Sequence, residues 1–235
     1  MNPVAQSLLD IKSRIAAACE RAGRDKESVH LVAVSKTFPE VAIQDAMESG
    51  HVVFGESRLQ EAEPKVAALS SSIEWHFIGR VQRNKVRKIL PLVDVVHGID
   101  SMKLAKYTDR VAEELRMRAK VFIQVNIGRE ESKGGFEPDG LVDEMGELLK
   151  LPSLEILGLM CIPPAEPDAE SARQWFQQLR ELKERIEQQH DVSLPHLSMG
   201  MSGDYEVAVE EGATYVRVGS AIFGNRSYRV EGEMG

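Results

Sequence analysis

Lys36 ends the run VHLVAVS, part of a stretch from Val29 to Phe38 that is rich in apolar and β-branched residues. Such a run reads as a strand buried on both faces of a parallel sheet. A single ammonium where the strand runs out lies at the sheet edge, which is where α/β proteins place ligands; otherwise it is a solvated lysine. Two later stretches could hold an anion. LSMGMSGD carries Ser198, Gly200, Ser202 and Gly203, and RVGSAIFG carries Gly219, Ser220 and Gly224. Small residues let backbone N–H groups approach a phosphate, and hydroxyls add donors. Arg217, inside YVRVG, stands among residues that otherwise suggest burial. A buried guanidinium needs acceptors, supplied by a ligand or by a structural ion pair with an internal carboxylate.

An amine, a phosphate cup and an arginine beside the cup fit pyridoxal 5'-phosphate (PLP), which needs an amine for its aldehyde, donors for its phosphate and a partner for its ring nitrogen. A cofactor-free Schiff-base aldolase also uses a lysine and a phosphate site. It has no need of the arginine, and its lysine usually lies on a middle strand.

The elements that must position these residues alternate along the chain. Apolar spacing at Val4, Leu8, Ile11, Ile15 and Cys19 predicts an N-terminal helix that stops near Gly23. Eight strand segments follow, near residues 30, 53, 75, 95, 123, 157, 198 and 216, each with a helical segment after it. The helices are expected near 39–49, 59–69, 82–90, 101–117, 137–150, 168–189 and 205–211. Eight such units without a composition break predict a single (β/α)8 TIM barrel with an extra N-terminal helix. Residues 1–235 then form one domain, with about 1–26 as the N-terminal helix and loop and about 229–235, RVEGEMG, as a flexible tail. In a barrel the two small-residue loops follow strands seven and eight, the common phosphate positions.

Composition narrows the function. Hydrophobic content of 43% and charged content of 28% are ordinary for a globular protein, and no apolar run approaches a membrane span. The net charge of −8 argues against a nucleic-acid-binding surface. The first residues read as a helix broken by charges, unlike a secretory signal, so a cytoplasmic location is expected. Cys19 and Cys161 lack metal-ligand spacing and are read as reduced packing residues. The six histidines form no HxxxH or HxH pair, and no metal site or Ser/His/Asp triad is expected. His76 reads as a core histidine, and Lys133 as a solvent-facing one of the loop after strand five.

The chain resembles the YggS/PROSC family of pyridoxal phosphate-binding proteins, also called PLP homeostasis proteins, along nearly all of its length. The stretches that carry the resemblance are LVAVSKTFP, FGESRLQEAEPK, WHFIGRVQRNKVRKI, QVNIGREESKGGF, LGLMCIP and LSMGMSGDYEVAVEEGATYVRVGSAIFG, with WHFIGxxQxNK especially specific. The resemblance implies a barrel like the alanine racemase N-terminal domain, with PLP as a Schiff base on Lys36. It places the phosphate around Ser198, Gly200, Ser202, Gly219 and Ser220 and turns Arg217 toward the pyridine nitrogen. This sequence departs from the family at two places: Ser57 stands where many relatives have asparagine in GEN, and Arg80-Val81 replaces Pro-Leu in GPLQ. Arg80, Arg83, Lys85, Arg87 and Lys88 put five cations into nine residues. They form either a solvated basic face or a mouth that attracts an anionic ligand.

The implied function is PLP homeostasis: holding the cofactor and buffering it or delivering it to apo PLP-dependent enzymes, as a monomer and without an enzymatic activity of its own. The alternative is a PLP-dependent amino-acid racemase; a metal-free phosphate-binding lyase is a third, weaker reading. Two-base racemisation needs a second acid/base opposite the lysine. In alanine racemase an additional domain supplies it as a tyrosine. The eleven residues after Gly224 in this sequence are too few to build one, so racemase activity is expected to be absent or slight.

Overall fold

The computed structural model describes residues 2–130 and 133–224. Eight parallel strands, β1 (His30–Val34), β2 (Val53–Glu56), β3 (Glu74–Phe77), β4 (Val95–Ile99), β5 (Ala119–Val125), β6 (Leu154–Cys161), β7 (His196–Ser198) and β8 (Tyr215–Val218), close in sequence order into a barrel. Closure is the pairing of β1 with β8, in the register His30 to Tyr215, Leu31 to Val216, Val32 to Arg217 and Ala33 to Val218. The eight strand positions expected from the sequence are all occupied.

Between the strands run α2 (Glu40–Glu48), α3 (Leu59–Ala68), α4 (Val86–Ile89), α5 (Met102–Glu114), α6 (Pro138–Leu148), α7 (Arg173–His190) and α8 (Tyr205–Glu210), and α9 (Ser220–Phe223) follows β8. The N-terminal helix α1 (Pro3–Arg21) starts at Asn2, whose side chain accepts from the Ala5 N–H at 2.7 Å, and buries Leu8, Ile11, Ile15 and Cys19. It lies against α2, α8 and α9, over the seam where β1 meets β8. Arg21 ties it to Glu210 of α8 at 2.6 Å.

Alternation along each strand splits the apolar residues into two layers. Outward side chains such as Phe54, Ile123 and Leu159 meet Ile43, Met145 and Phe176 of the helices. Inward ones, Val32, Val95, Phe122, Met160 and Tyr215, form a smaller core inside the barrel.

Two helices differ from expectation. The segment expected as one helix from about Gln82 to Leu90 breaks into a 3-10 turn at Arg83–Lys85, the single turn α4, and a second 3-10 turn at Leu90–Leu92. Pro91 has no N–H to continue an α-helical ladder. The helix expected from Asp168 begins at Arg173 after a 3-10 turn at Glu170–Ala172. The tail at 229–235 lies outside the described residues.

His51 joins α2 to β2, its Nε2 bonded to the Val53 carbonyl at 2.8 Å, and burial drives its pKa down to about 4. The folded state thus keeps His51 neutral while the unfolded chain takes up a proton below about pH 6.5. Stability is therefore lost as pH falls from about 6.5 to about 4, and His51→Gln should remove up to about 1.4 kcal/mol per pH unit of that slope. Urea titrations of both proteins across this window check it; unchanged slopes would show that His51 is not the titrating group.

Candidate functional site

Lys36 lies two residues beyond β1, half-buried, in a turn closed by the Phe38 N–H donating to the Ser35 carbonyl at 3.1 Å. Its neighbours on both sides are tethered. Ser35 is fully buried: its N–H donates to the Gly55 carbonyl, its hydroxyl donates to Glu56 at 2.6 Å, and its carbonyl accepts from Lys65 Nζ at 2.9 Å. On the other side Thr37 has φ of 69° and donates its N–H to Glu61 at 2.7 Å. A β-branched residue in the left-handed region is strained, by about 1–3 kcal/mol. These tethers fix the backbone from which the Lys36 side chain projects.

Under this turn Lys65 Nζ meets Glu56 Oε1 at 2.7 Å, with both side chains almost wholly buried. Burial pushes the Glu56 carboxyl up, and the hydrogen bonds from Lys65 and Ser35 oppose it. The other carboxylate oxygen of Glu56 has no hydrogen-bond partner among the described residues.

The facing wall comes from the loops after β7 and β8. The Arg217 N–H donates to the Gly200 carbonyl at 3.0 Å, and the Ser202 hydroxyl oxygen accepts from the Gly219 N–H at 3.1 Å and the Ala221 N–H at 3.4 Å. Glycine at 219 leaves room for a close approach, since a Cβ there would come within 3.2 Å of the Val34 backbone oxygen where the end of β8 lies against the end of β1. Between the walls is a cavity of about 320 Å3, at the small end of the range for ligand sites. Lys36, Arg217, Ser202, Gly219 and Ser220 line it, together with the apolar Val34, Phe38, Ile78, Ile162 and Met201.

Five of the seven sequence-selected residues thus surround one cavity. Ser198 and Gly200 do not line it. Ser198 is fully buried, and its hydroxyl is engaged by Arg217 at 2.7 Å and His97 at 2.8 Å, so it stands behind the arginine rather than in a phosphate cup. Gly200 has φ of 89°, and a Cβ there would clash with Ala208 at 2.6 Å; its glycine serves the turn and the packing of α8. Both residues thus stand next to the cavity wall without forming it.

Arg217 is 5% exposed and makes no ion pair among the described residues. Its terminal nitrogens donate to Ser198 and to the Cys161 carbonyl at 2.9 Å, and burial lowers its pKa. The basic cluster lies elsewhere: Arg80 and Lys85, with Ser57 and Arg58, line a separate cleft of about 530 Å3 between the loops after β2 and β3. Arg83 lies over the Tyr107 ring, and Arg87 pairs with Glu114. Lys133 pairs with Glu130 and donates to the Pro163 carbonyl at 3.0 Å, rather than facing solvent alone.

Sequence reasoning missed the Glu56–Lys65 pair and His97. The sequence carried a signal for His97: in EWHF and VVHGI, alternation puts Glu74, His76 and His97 on the inward face with Arg217.

A single barrel with one lysine facing a glycine- and serine-lined wall at the strand ends is of the alanine racemase N-terminal domain class, and the family model of that name matches residues 7–227. The chain belongs to the pyridoxal phosphate homeostasis protein family. It is 44% identical over 224 residues to the pyridoxal phosphate homeostasis protein of Aquifex aeolicus, covering 95% of this chain and 98% of the relative. With that of Escherichia coli K12 it shares 39% over 240 residues, covering 97% and 99%. The structure of PipY from Synechococcus elongatus PCC7942 with PLP bound superposes with a TM-score of 0.84 at 38% identity, covering 94% of this chain and 100% of that one. An alanine racemase of Clostridium difficile shares the fold, with a TM-score of 0.70 at 14% identity over 97% of this chain and 58% of its own.

Replacing Lys65 by methionine should cost about 3–5 kcal/mol, because Glu56 would be left buried without its cation. Equilibrium urea unfolding measures it; a loss below about 1 kcal/mol would mean that the pair does not hold the Lys36 turn in place.

Proposed function

We propose that this chain binds pyridoxal 5'-phosphate in the cavity between β1 and β8, holds it as a Schiff base on Lys36, and buffers it or delivers it to apo PLP-dependent enzymes. The observation that carries this reading is the convergence of Lys36, Arg217 and the Ser202–Gly219–Ser220 wall on one small cavity, in a family whose PipY member has been seen with PLP bound. The residues present fit the group: an amine at the turn, hydroxyl and backbone donors on the facing wall, a guanidinium deeper in, and apolar side chains between.

When bound, PLP supplies an aldehyde that condenses with an amine, and a ring that accepts electrons. Lys36 provides that amine from a backbone fixed on both sides. Ser202 holds the N–H groups of Gly219 and Ala221 on its oxygen, the same kind of donors that a phosphate oxygen takes up, and Ser220 adds a hydroxyl. Val34, Ile78 and Ile162 give the cavity an apolar side. Arg217 keeps its proton near neutral pH and would present a donor to the ring nitrogen. With its proton in place, Arg217 would disfavour protonation of that nitrogen.

Binding rather than racemisation fits the lining. Among the described residues that line the cavity, Lys36 and Arg217 are the titratable ones, and none stands as a second acid/base. Tyr107 and Tyr205 are on α5 and α8, and Tyr215 is inside the barrel. Cys19 and Cys161 are free and buried, and no helix among the described residues is long and apolar enough to cross a membrane. Both features fit a cytoplasmic protein, which we take to act as a monomer.

Replacing both Ser202 and Ser220 by alanine should weaken PLP binding about 10-fold or more, the loss expected for hydrogen bonds to a charged group. Binding of pyridoxal, which lacks the phosphate, should change less than about twofold. Absorbance titrations compare the two ligands, and equal losses would remove the phosphate wall from the account. α-Deuteration of an amino acid by loaded protein in deuterium oxide at about 1 per second, with the D-enantiomer appearing and Lys36→Ala abolishing both, would favour a racemase instead.

A further inference from the structure

Five inward-facing side chains join into one hydrogen-bonded chain through the barrel. Glu74 Oε1 is 2.9 Å from His76 Nε2, His76 Nδ1 is 2.8 Å from His97 Nε2, His97 Nδ1 is 2.8 Å from Ser198 Oγ, and Arg217 reaches that same oxygen at 2.7 Å. The chain takes its members from β3, β4, β7 and β8. Its far end, Glu74, opens β3 and is 46% exposed, whereas His76, His97 and Ser198 are fully buried.

The two ends and the single ring proton of His97 leave one direction in which every hydroxyl and ring proton has an acceptor. Arg217 can only donate. Glu74 can only accept, because its hydrogen bond from His76 holds its carboxyl below the usual carboxylate range. Burial, with His76 and Arg217 nearby, holds His97 well below the usual imidazole range, so it carries one ring proton. Ser198 accepts from Arg217 and gives its own proton to His97 Nδ1. His97 then donates through Nε2 to His76 Nδ1, and His76 donates through Nε2 to Glu74. The reverse order strands the buried Ser198 hydroxyl proton, a cost of about 1–3 kcal/mol for the orphaned group.

We propose that Glu74, His76, His97 and Ser198 are positioning residues, a one-way hydrogen-bond relay that locks the Arg217 guanidinium so that its remaining donors face the cavity. This rests on the reading that Arg217 faces bound PLP. The barrel interior around the relay is apolar, with Val32, Val95, Phe122 and Met160. Apolar residues there would suffice for packing, while a fully satisfied polar chain imposes a single geometry on its last member. Other groups act on its ends: His30 and Lys120 act on Glu74, Cys161 and Asp204 on Arg217, and the Tyr215 ring lies 5.8 Å from His76 and 6.1 Å from His97.

The test is nitrogen-15 NMR of the full-length protein without cofactor, followed by ligand titration. His97 should be neutral with the proton on Nε2 from pH 6 to 8, and His76 should carry a proton on the Nε2 that faces Glu74. Ser198→Ala should release the His97 tautomer and speed exchange of the Arg217 guanidinium protons by about 10-fold or more, and Ser198→Thr should restore both while melting stays close to the parent. In the titration, Ser198→Ala should weaken PLP and pyridoxal by the same factor, because the effect passes through the ring partner and not the phosphate wall. A proton on Nδ1 of His97, or Arg217 exchange unchanged by Ser198→Ala, overturns the relay whether or not the protein takes up PLP. Failure to bind PLP at all, with the NMR results as stated, would instead count against the proposed function.

Discussion

The pairing of β1 with β8 is the constraint on which the site depends. Lys36 and Arg217 are 181 positions apart in sequence, yet the register that pairs Val32 with Arg217 sets the end of β1 beside the end of β8. Glycine at 219 permits that approach, since a side chain there would press on Val34. The loop after β7 is then drawn in by the bond from the Arg217 N–H to the Gly200 carbonyl. The loss of chain entropy in bringing such distant segments together is offset by burial over the whole barrel rather than by any contact at the site. The helix α1 strengthens the seam from outside by lying against α2, α8 and α9.

Within that frame the site is held by polar groups that face inward or sit under turns. The Glu56–Lys65 pair fixes Ser35, one residue before the lysine, and Glu61 holds the strained Thr37, one residue after it. On the opposite wall Arg217 is held by Ser198 and the Cys161 carbonyl. A reactive side chain on a rigid backbone, facing donors already aligned by their own hydrogen bonds, loses little further freedom when a ligand arrives.

Much of this was legible in the sequence. Strand periodicity and small-residue loops gave the barrel, the place of Lys36 and the wall of Ser202, Gly219 and Ser220, because these depend on local pattern and on a fold with a fixed active end. Ser198 was expected at the end of a short strand, and β7 ends there; what the sequence did not reveal is that its hydroxyl is engaged by His97 and Arg217 while that of Ser202 lines the cavity, because nothing local distinguishes the two. Glu56 and Lys65 were passed over because a carboxylate and an amine nine residues apart signal a buried pair only once β2 and α3 are folded together. The break of the 82–92 segment was foreshadowed by Pro91, but the two 3-10 turns around α4 depend on packing that no periodicity reports.

The central claim is that Lys36 is the residue that takes the cofactor. It is tested most directly by loading the protein with PLP, reducing it with borohydride and mapping the modified peptide by mass spectrometry. The account predicts one pyridoxyl group, on Lys36, and none in Lys36→Ala. Stoichiometric labelling of another lysine, such as Lys65 or Lys133, with Lys36 unmodified would contradict it.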